Sequence, residues 1–391
     1  MEENVQYKRT YKITKTEIDK ELFTFVVALI ITGIMAVFSA SLPMCMAKHI
    51  NSFYYIGQHI LWLILGGVGL FFFSKMDYNI LKRYTFHFAI GVIVLLLIVK
   101  FTPLGVEING ARRWLNLGFF QFQPSEFTKL GIIMLLASWF SLDKKSFWIE
   151  FPKYALTILA MIFVVLKQPN LSMAIILFGI AFWMYVCSGK SLKPIIIGVM
   201  LLICIVVLAK TNIVNPLFFL EDYQKERILA KFSATVDTQG NGYQTFHSLI
   251  AIASGGVFGQ GYGGSKEKLG WLPECHTDFI FSVIAEEIGF LGCLVIISFF
   301  IILFRRGMHI AINHPYMYGR MMACGITCLI TMQAFLNISV ATSFIPPTGI
   351  TLPFVSYGGS SLFVIMCMVG ILLNISKTKL VKVIEKTTSM Q

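Results

Sequence analysis

Residues 22 to 44 read Leu22-Phe-Thr-Phe-Val-Val-Ala-Leu-Ile-Ile-Thr-Gly-Ile-Met-Ala-Val-Phe-Ser-Ala-Ser-Leu-Pro-Met44, without one charged side chain. A helix needs about 20 such residues to cross the hydrocarbon of a bilayer, so this stretch is read as a membrane span. Ser39-Ala40-Ser41 faintly resembles a signal-peptidase site, but the apolar run is too long for a signal peptide's core, and an uncleaved first span is expected. Nine more apolar runs follow, near 56–74, 84–102, 126–142, 152–167, 171–187, 194–212, 278–304, 320–342 and 352–374. The fold expected is all-α, a polytopic integral membrane protein with ten transmembrane helices. An even number of spans leaves both termini on one side.

The whole chain agrees with this local reading. Of 391 residues, 56% are apolar and 13% charged, whereas a soluble domain is about one quarter charged. A soluble multi-domain enzyme is excluded. Lys and Arg number 32 against 20 acids, for a net charge of +12. With the N-terminus inside, 20 of the basic residues fall in inner segments and five in short outer loops, namely Lys48, Lys100, Arg112, Arg113 and Lys167. That bias places both ends in the cytoplasm and accounts for the charge without nucleic acid. The expected organisation is a cytoplasmic tail over 1–21, a transmembrane domain over 22–376 with a large outer loop at 213–277, and a cytoplasmic tail over 377–391. Loops of that length are usually functional or disordered, and this one, with apolar stretches and helical patterns, is expected to fold and to be active.

Eight scattered cysteines form neither a disulfide framework nor a CxxC metal spacing. Cys275 and His276 resemble a ligand pair but lack a second pair. Gly259-Gln-Gly261-Tyr-Gly-Gly264 spells a dinucleotide fingerprint without the strand-to-helix unit that gives it meaning, so its glycines are read as bends between helices.

Chemistry concentrates in four outer segments. In Trp271-Leu-Pro-Glu-Cys-His276-Thr-Asp278, a carboxylate stands where the outer loop enters the eighth span. A charge there normally faces a cavity or a partner, and partial burial would suit a general base acting on a sugar hydroxyl; the alternative is a helix N-cap. Asn109-Gly-Ala-Arg112-Arg113-Trp114 puts cations on the side where they are disfavoured, fitting phosphate recognition or interfacial anchoring. In Gln123-Pro-Ser125-Glu126-Phe-Thr-Lys129, Glu126 and Lys129 share a helix face and must point into the bundle, as a cavity wall or a structural ion pair. Glu286 and Glu287 pose the same question. The uncharged loop Thr348-Gly349-Ile-Thr351-Leu-Pro-Phe-Val-Ser356-Tyr357-Gly-Gly-Ser360-Ser361 breaks helix at membrane depth, which is tolerated only against protein or a wet cavity. It is expected to line the same pocket or to form a re-entrant turn.

Together these segments resemble the SEDS family, the FtsW, RodA and SpoVE proteins of bacterial cell-wall synthesis. The likeness runs from about Leu22 to Ser376 on GARRW at 110–114, QPSE at 123–126, Tyr243-Gln244 to Gly256, LPExHTDFIF at 272–281 with AEEIGF after it, and TGxxLPFxSYGGSS at 348–361. The resemblance implies a peptidoglycan glycosyltransferase of the bacterial inner membrane that polymerises lipid II at its outer face, inverting the donor sugar and expelling undecaprenyl pyrophosphate. It implies Asp278 as catalytic base and Arg112, Arg113 and Arg227 as pyrophosphate ligands, with Trp114, Glu126, Lys129, His276, Ser356 and Ser360 binding substrate. It implies no certain cofactor, leaves room for a divalent cation, and implies a class B penicillin-binding protein as transpeptidase partner. Asn170 replaces the usual acid of QPD, His247 replaces a usual Gln, and Thr238 follows Asp237 where proline is common. Ser265-Lys-Glu-Lys268 is closer to the division and sporulation branch than to the elongation branch. Two other functions fit the residues: a lipid II transporter and a non-catalytic scaffold for the transpeptidase.

Overall fold

A computed structural model of the chain describes residues 5–108, 111–116, 121–168, 170–190 and 242–388. Nine of the ten expected apolar runs fall on helices, and the remaining run, 194–212, lies outside the described residues. In order these helices are α1 (Lys20–Ala47), α2 (Tyr54–Lys75), α3 (Tyr78–Phe101), α4 (Ser125–Phe140), α6 (Phe151–Leu166), α7 (Leu171–Cys187), α9 (Ile280–Asn313), α10 (Met317–Ala341) and α11 (Gly359–Ser376). Among the described residues, six are long and apolar enough to cross a bilayer by themselves. Two further helices, α5 (Lys144–Ile149) and α8 (Tyr243–Gly255), lie between them.

Local chemistry sets the boundaries. Asp19 caps α1 through Leu22 N–H at 3.0 Å, and Asp77 caps α3 through Asn79 N–H at 2.9 Å, each carboxylate satisfying an otherwise orphaned amide. The Asp77 cap starts α3 at Tyr78, ahead of the apolar run it carries. Helix α4 is buried almost all round and forms the centre with α10 and α11, while α1, α2, α3 and α9 turn their apolar outer faces away from the protein. That is how a bundle solvated by lipid is built.

The two tails are not loose ends. Val5–Lys15 (β1) pairs antiparallel with Thr378–Thr388 (β5) along its whole length, and Asp19 N–H donates to Ser376 Oγ at 3.0 Å. The two paired strands therefore lie at the same end of the bundle. Arg306 closes that end on Asp19 at 2.6 Å and Glu21 at 3.1 Å. At the other end, Gly105–Ile108 (β2), Ala111–Asn116 (β3) and Gln121–Phe122 (β4) form a small antiparallel sheet that carries the arginine pair.

The run 278–304 is not one continuous span. Gly289 interrupts α9 at φ +69°, and the carbonyls this frees are taken by the glycine-rich turn: Gln260 N–H donates to Glu286 O at 2.9 Å and Gly261 N–H to Glu287 O at 3.0 Å. In return Phe290 N–H reaches Gly256 O at 2.9 Å. A Cβ on Gly289 would collide with the backbone nitrogen of Gly259, and one on Gly259 with the carbonyl of Glu287, so only glycine fits on either side. The glycines that spell a dinucleotide motif thus repair a broken helix.

Candidate active site

Asp278 sits at the end of a tight turn fixed by Glu274. Glu274 adopts φ +53°, a left-handed conformation costing an L-residue roughly 1–2 kcal/mol. Its carbonyl gathers the N–H groups of Thr277, Asp278 and Phe279 at 3.2, 3.2 and 3.3 Å. Helix α9 starts at Ile280 with Phe279 in the cap position, so Asp278 is not the helix cap. Its side chain is half-buried and looks onto Gly349, where an added Cβ would come within 3.5 Å of Oδ2. Gly349, at φ +70°, therefore turns the chain right beside the carboxylate.

One side chain locks this arrangement. Asn337 Nδ2 on α10 donates to Asp278 O at 2.8 Å and to Ile350 O at 2.7 Å, tying the entry of α9 to the 348–361 loop. Four residues earlier on the same helix, Gln333 donates to Thr351 O at 3.0 Å and accepts from Lys129 at 3.1 Å. Neither amide stood out in the sequence against the charges, although two amides at i and i+4 in an apolar helix mark an inward polar face. Replacing Asn337 by leucine keeps the approximate volume and removes both hydrogen bonds. We expect a lower unfolding temperature, since two carbonyls lose their donor at about 1–3 kcal/mol each, and at least a tenfold fall in turnover measured at a temperature where both proteins remain folded.

The other outer segments converge on the same loop. Ser172 Oγ donates to Thr348 O, and Asn170 caps α7 through Met173 N–H at 3.1 Å, a role an aspartate could equally fill. Gln168, buried and donating to Leu96 O at 2.9 Å, offers its own carbonyl to Arg113 Nε at 3.0 Å. Arg113 is thus tied to Gln168, and Ser172, a little further along the chain, to the loop that passes Asp278. Arg112 is exposed and faces Glu107 at 3.5 Å, and Trp114 is half-buried beside it. Arg227, Asp237 and Thr238 lie outside the described residues.

Several expected ligands have other engagements. Ser356 Oγ accepts Leu352 N–H at 2.8 Å and Ser360 Oγ accepts Gln123 N–H at 3.0 Å; both are buried, and they hold the loop and the QPSE turn in place. His276 is buried between the rings of Tyr55 and Tyr357 at 5.2 and 5.7 Å, and Tyr357 N–H donates to its carbonyl at 3.0 Å. Burial holds its pKa below the usual histidine value, with Lys48 acting in the same sense and Glu274 opposing, so the ring is neutral at pH 7. Burial pushes the Cys275 thiol up to about 11. Among the described residues, no three His, Cys, Asp or Glu side chains converge as a metal site.

Among the described residues, the intramembrane carboxylates all have hydrogen-bonding partners, and two of them pair with lysines. Lys129 Nζ lies 2.7 Å from Glu126 Oε2, both buried inside the bundle. Glu287 lies 2.6 Å from Lys268 and 2.5 Å from Ser39 Oγ, itself 2.7 Å from the same lysine. Glu286 accepts from Ser265 Oγ at 2.5 Å and Lys266 N–H at 2.9 Å, and His247 meets Glu267 at 2.7 Å. The Ser265–Lys268 segment is therefore the counterpart of the two glutamates.

The family of cell cycle proteins comprising FtsW, RodA and SpoVE matches residues 20–380. The chain belongs to this family. A probable peptidoglycan glycosyltransferase FtsW of Geobacter metallireducens is 36% identical over 94% of this chain and 97% of its own. The stage V sporulation protein E of Bacillus subtilis is 34% identical over 93% and 98%. A solved chain from a peptidoglycan synthase complex that coordinates polymerization and crosslinking superposes with a TM-score of 0.75 at 27% identity, over 92% of this chain and 97% of that one. Like its FtsW, RodA and SpoVE relatives, the chain is a multi-pass membrane protein.

Proposed function

We propose that this peptidoglycan glycosyltransferase polymerises lipid II at the outer face of the bacterial inner membrane, with Asp278 as its general base. The 4-hydroxyl of an acceptor GlcNAc gives its proton to the Asp278 carboxylate and attacks the anomeric carbon of a donor MurNAc. The centre inverts, and the bond to undecaprenyl pyrophosphate breaks. Arg112 and Arg113, with Arg227, receive the departing diphosphate charge; Trp114 lies along the substrate; His276, Ser356 and Ser360 act by holding the pocket's loops; Glu126 and Lys129 brace its floor. The observation that carries this reading is the placement of Asp278: half-buried where the chain enters the bundle, next to Gly349 of the 348–361 loop, with a backbone fixed by Asn337.

The topology proposed is ten spans with a large outer loop ahead of the eighth, the apolar pattern of the sequence being its support. Both tails are cytoplasmic, supported by their mutual pairing and by the excess of basic residues on that side. The product strand is crosslinked by a class B penicillin-binding protein in complex with the chain, and the Ser265–Lys268 segment favours a division role. Transport of lipid II is less favoured, because Glu126 pairs with Lys129, Glu287 with Lys268, and Glu286 is held by Ser265 and Lys266 N–H. The test is reconstitution of the purified full chain with its transpeptidase in liposomes containing lipid II. Long glycan strands support the proposal; translocation of lipid II without polymer would replace it with the transporter reading.

A further inference from the structure

The segment Tyr243 to Gly264 contains no Asp, Glu, Lys or Arg, although it belongs to the loop expected outside the membrane. Its contacts report its depth. Ser248 Oγ meets Ser282 Oγ and Ala341 O, both at 2.6 Å, near the outer ends of α9 and α10. Seven residues later, Gly255 packs on Ala285 and Glu286. Tyr262 then donates its hydroxyl to Met35 O at 2.9 Å, near the middle of α1. The inner boundary is marked by Arg305 and Arg306 on Asp19 and Glu21. From there about 20 residues span the hydrocarbon, to about residue 42 on α1 and about residue 285 on α9. Met35 and Gly289 both lie inside that limit, Met35 by roughly 10 Å at 1.5 Å per residue.

The side chains at this depth are apolar and uncovered. Phe258 is 80% exposed and Val257 54%, and their turn is hydrogen-bonded to Phe290 and Leu291, which begin the outward apolar face of α9. Helix α8 buries Ser248, Ala251 and Gly255 against the bundle and turns Phe246, Leu249 and Ile250 outward. Irregular backbone inside a bilayer must have its polar groups met by protein, and the carbonyls freed at Gly289 do that for Gln260 and Gly261.

We infer that Tyr243 to Gly264 is a re-entrant hairpin that dips from the outer surface into the hydrocarbon, its outward face covered by phospholipid acyl chains. Its apolar surface is continuous with the lipid-facing side of α9, it has no Asp, Glu, Lys or Arg and its one histidine, His247, is held by Glu267, and two helices independently place its tip below the boundary. The hairpin is fastened to the short segment of α9 that follows Asp278. The bilayer thereby supports the loop that carries the carboxylate.

The full chain in phosphatidylcholine and phosphatidylglycerol liposomes gives the test. Phe258→Cys and, as an aqueous control, Lys48→Cys are labelled with a membrane-impermeant maleimide and quantified by peptide mass spectrometry. Phosphatidylcholine bearing a diazirine in its acyl chain is photolysed against the unmodified protein. The expected result is labelling at 258 at least tenfold slower than at 48, together with acyl-chain adducts on residues 257–262. Equal labelling rates would overturn the inference. So would slow labelling without lipid adducts, which would mean that protein covers the tip; Val257→Cys repeats the test should Phe258→Cys fold poorly.

Discussion

Asp278→Asn should abolish polymerisation of lipid II while leaving a folded, monodisperse protein that still binds its transpeptidase. The substitution keeps size and planarity and removes the capacity to accept a proton as base. Because Asn337 grips the Asp278 carbonyl rather than its carboxylate, the local backbone survives. A positioned general base contributes about 10² to 10⁴ in rate, and the variant should lose that factor from turnover rather than from substrate affinity. Gel analysis of glycan strands beside a thermal unfolding curve provides the check. Retention of full rate by the variant would remove Asp278 from the chemistry.

Lys268→Ala carries the largest expected effect on stability. Lys268 and Glu287 are almost wholly inaccessible and only 2.6 Å apart, at a depth where water cannot solvate a lone carboxylate. Breaking such a pair from one side typically costs about 3–5 kcal/mol, since the remaining charge stays buried with, among the described residues, only Ser39 to answer it. The substitution also unfastens the Ser265–Lys268 turn from the broken helix, so unfolding in detergent should shift to distinctly lower temperature. Lys268→Met combined with Glu287→Gln should recover much of the loss, because no unpaired charge remains. A single variant as stable as the unmodified chain would show that the pair bears no such load.

The fold was legible wherever one physical rule dominated. Apolar runs with few charges marked helices, with ends off by as much as nine residues, because the bilayer fixes span length and disfavours ions. Asp278 stood out for the same reason, as a charge at the edge of an apolar run. The break at Gly289 was not legible: a single glycine in a long run reads as a tolerated residue, and its role depends on Gly259, far earlier in the chain. The fate of Glu286 and Glu287 was hidden likewise, since Ser265 and Lys268 sit at no helical spacing from them. Asn337 and Gln333 carried a usable signal, an i and i+4 amide pair inside a span, which the stronger charges overshadowed. The pairing of the tails left no mark in hydropathy at all.

The most direct measurement is a cryo-EM structure of the Asp278→Asn chain, with its transpeptidase, trapped on lipid II. The predicted result is the substituted side chain at position 278 within about 3.2 Å of the acceptor 4-hydroxyl, opposite the donor's bond to pyrophosphate, with the diphosphate toward Arg112 and Arg113. A complex in which that side chain contacts only acyl chains, or the diphosphate itself, would contradict it.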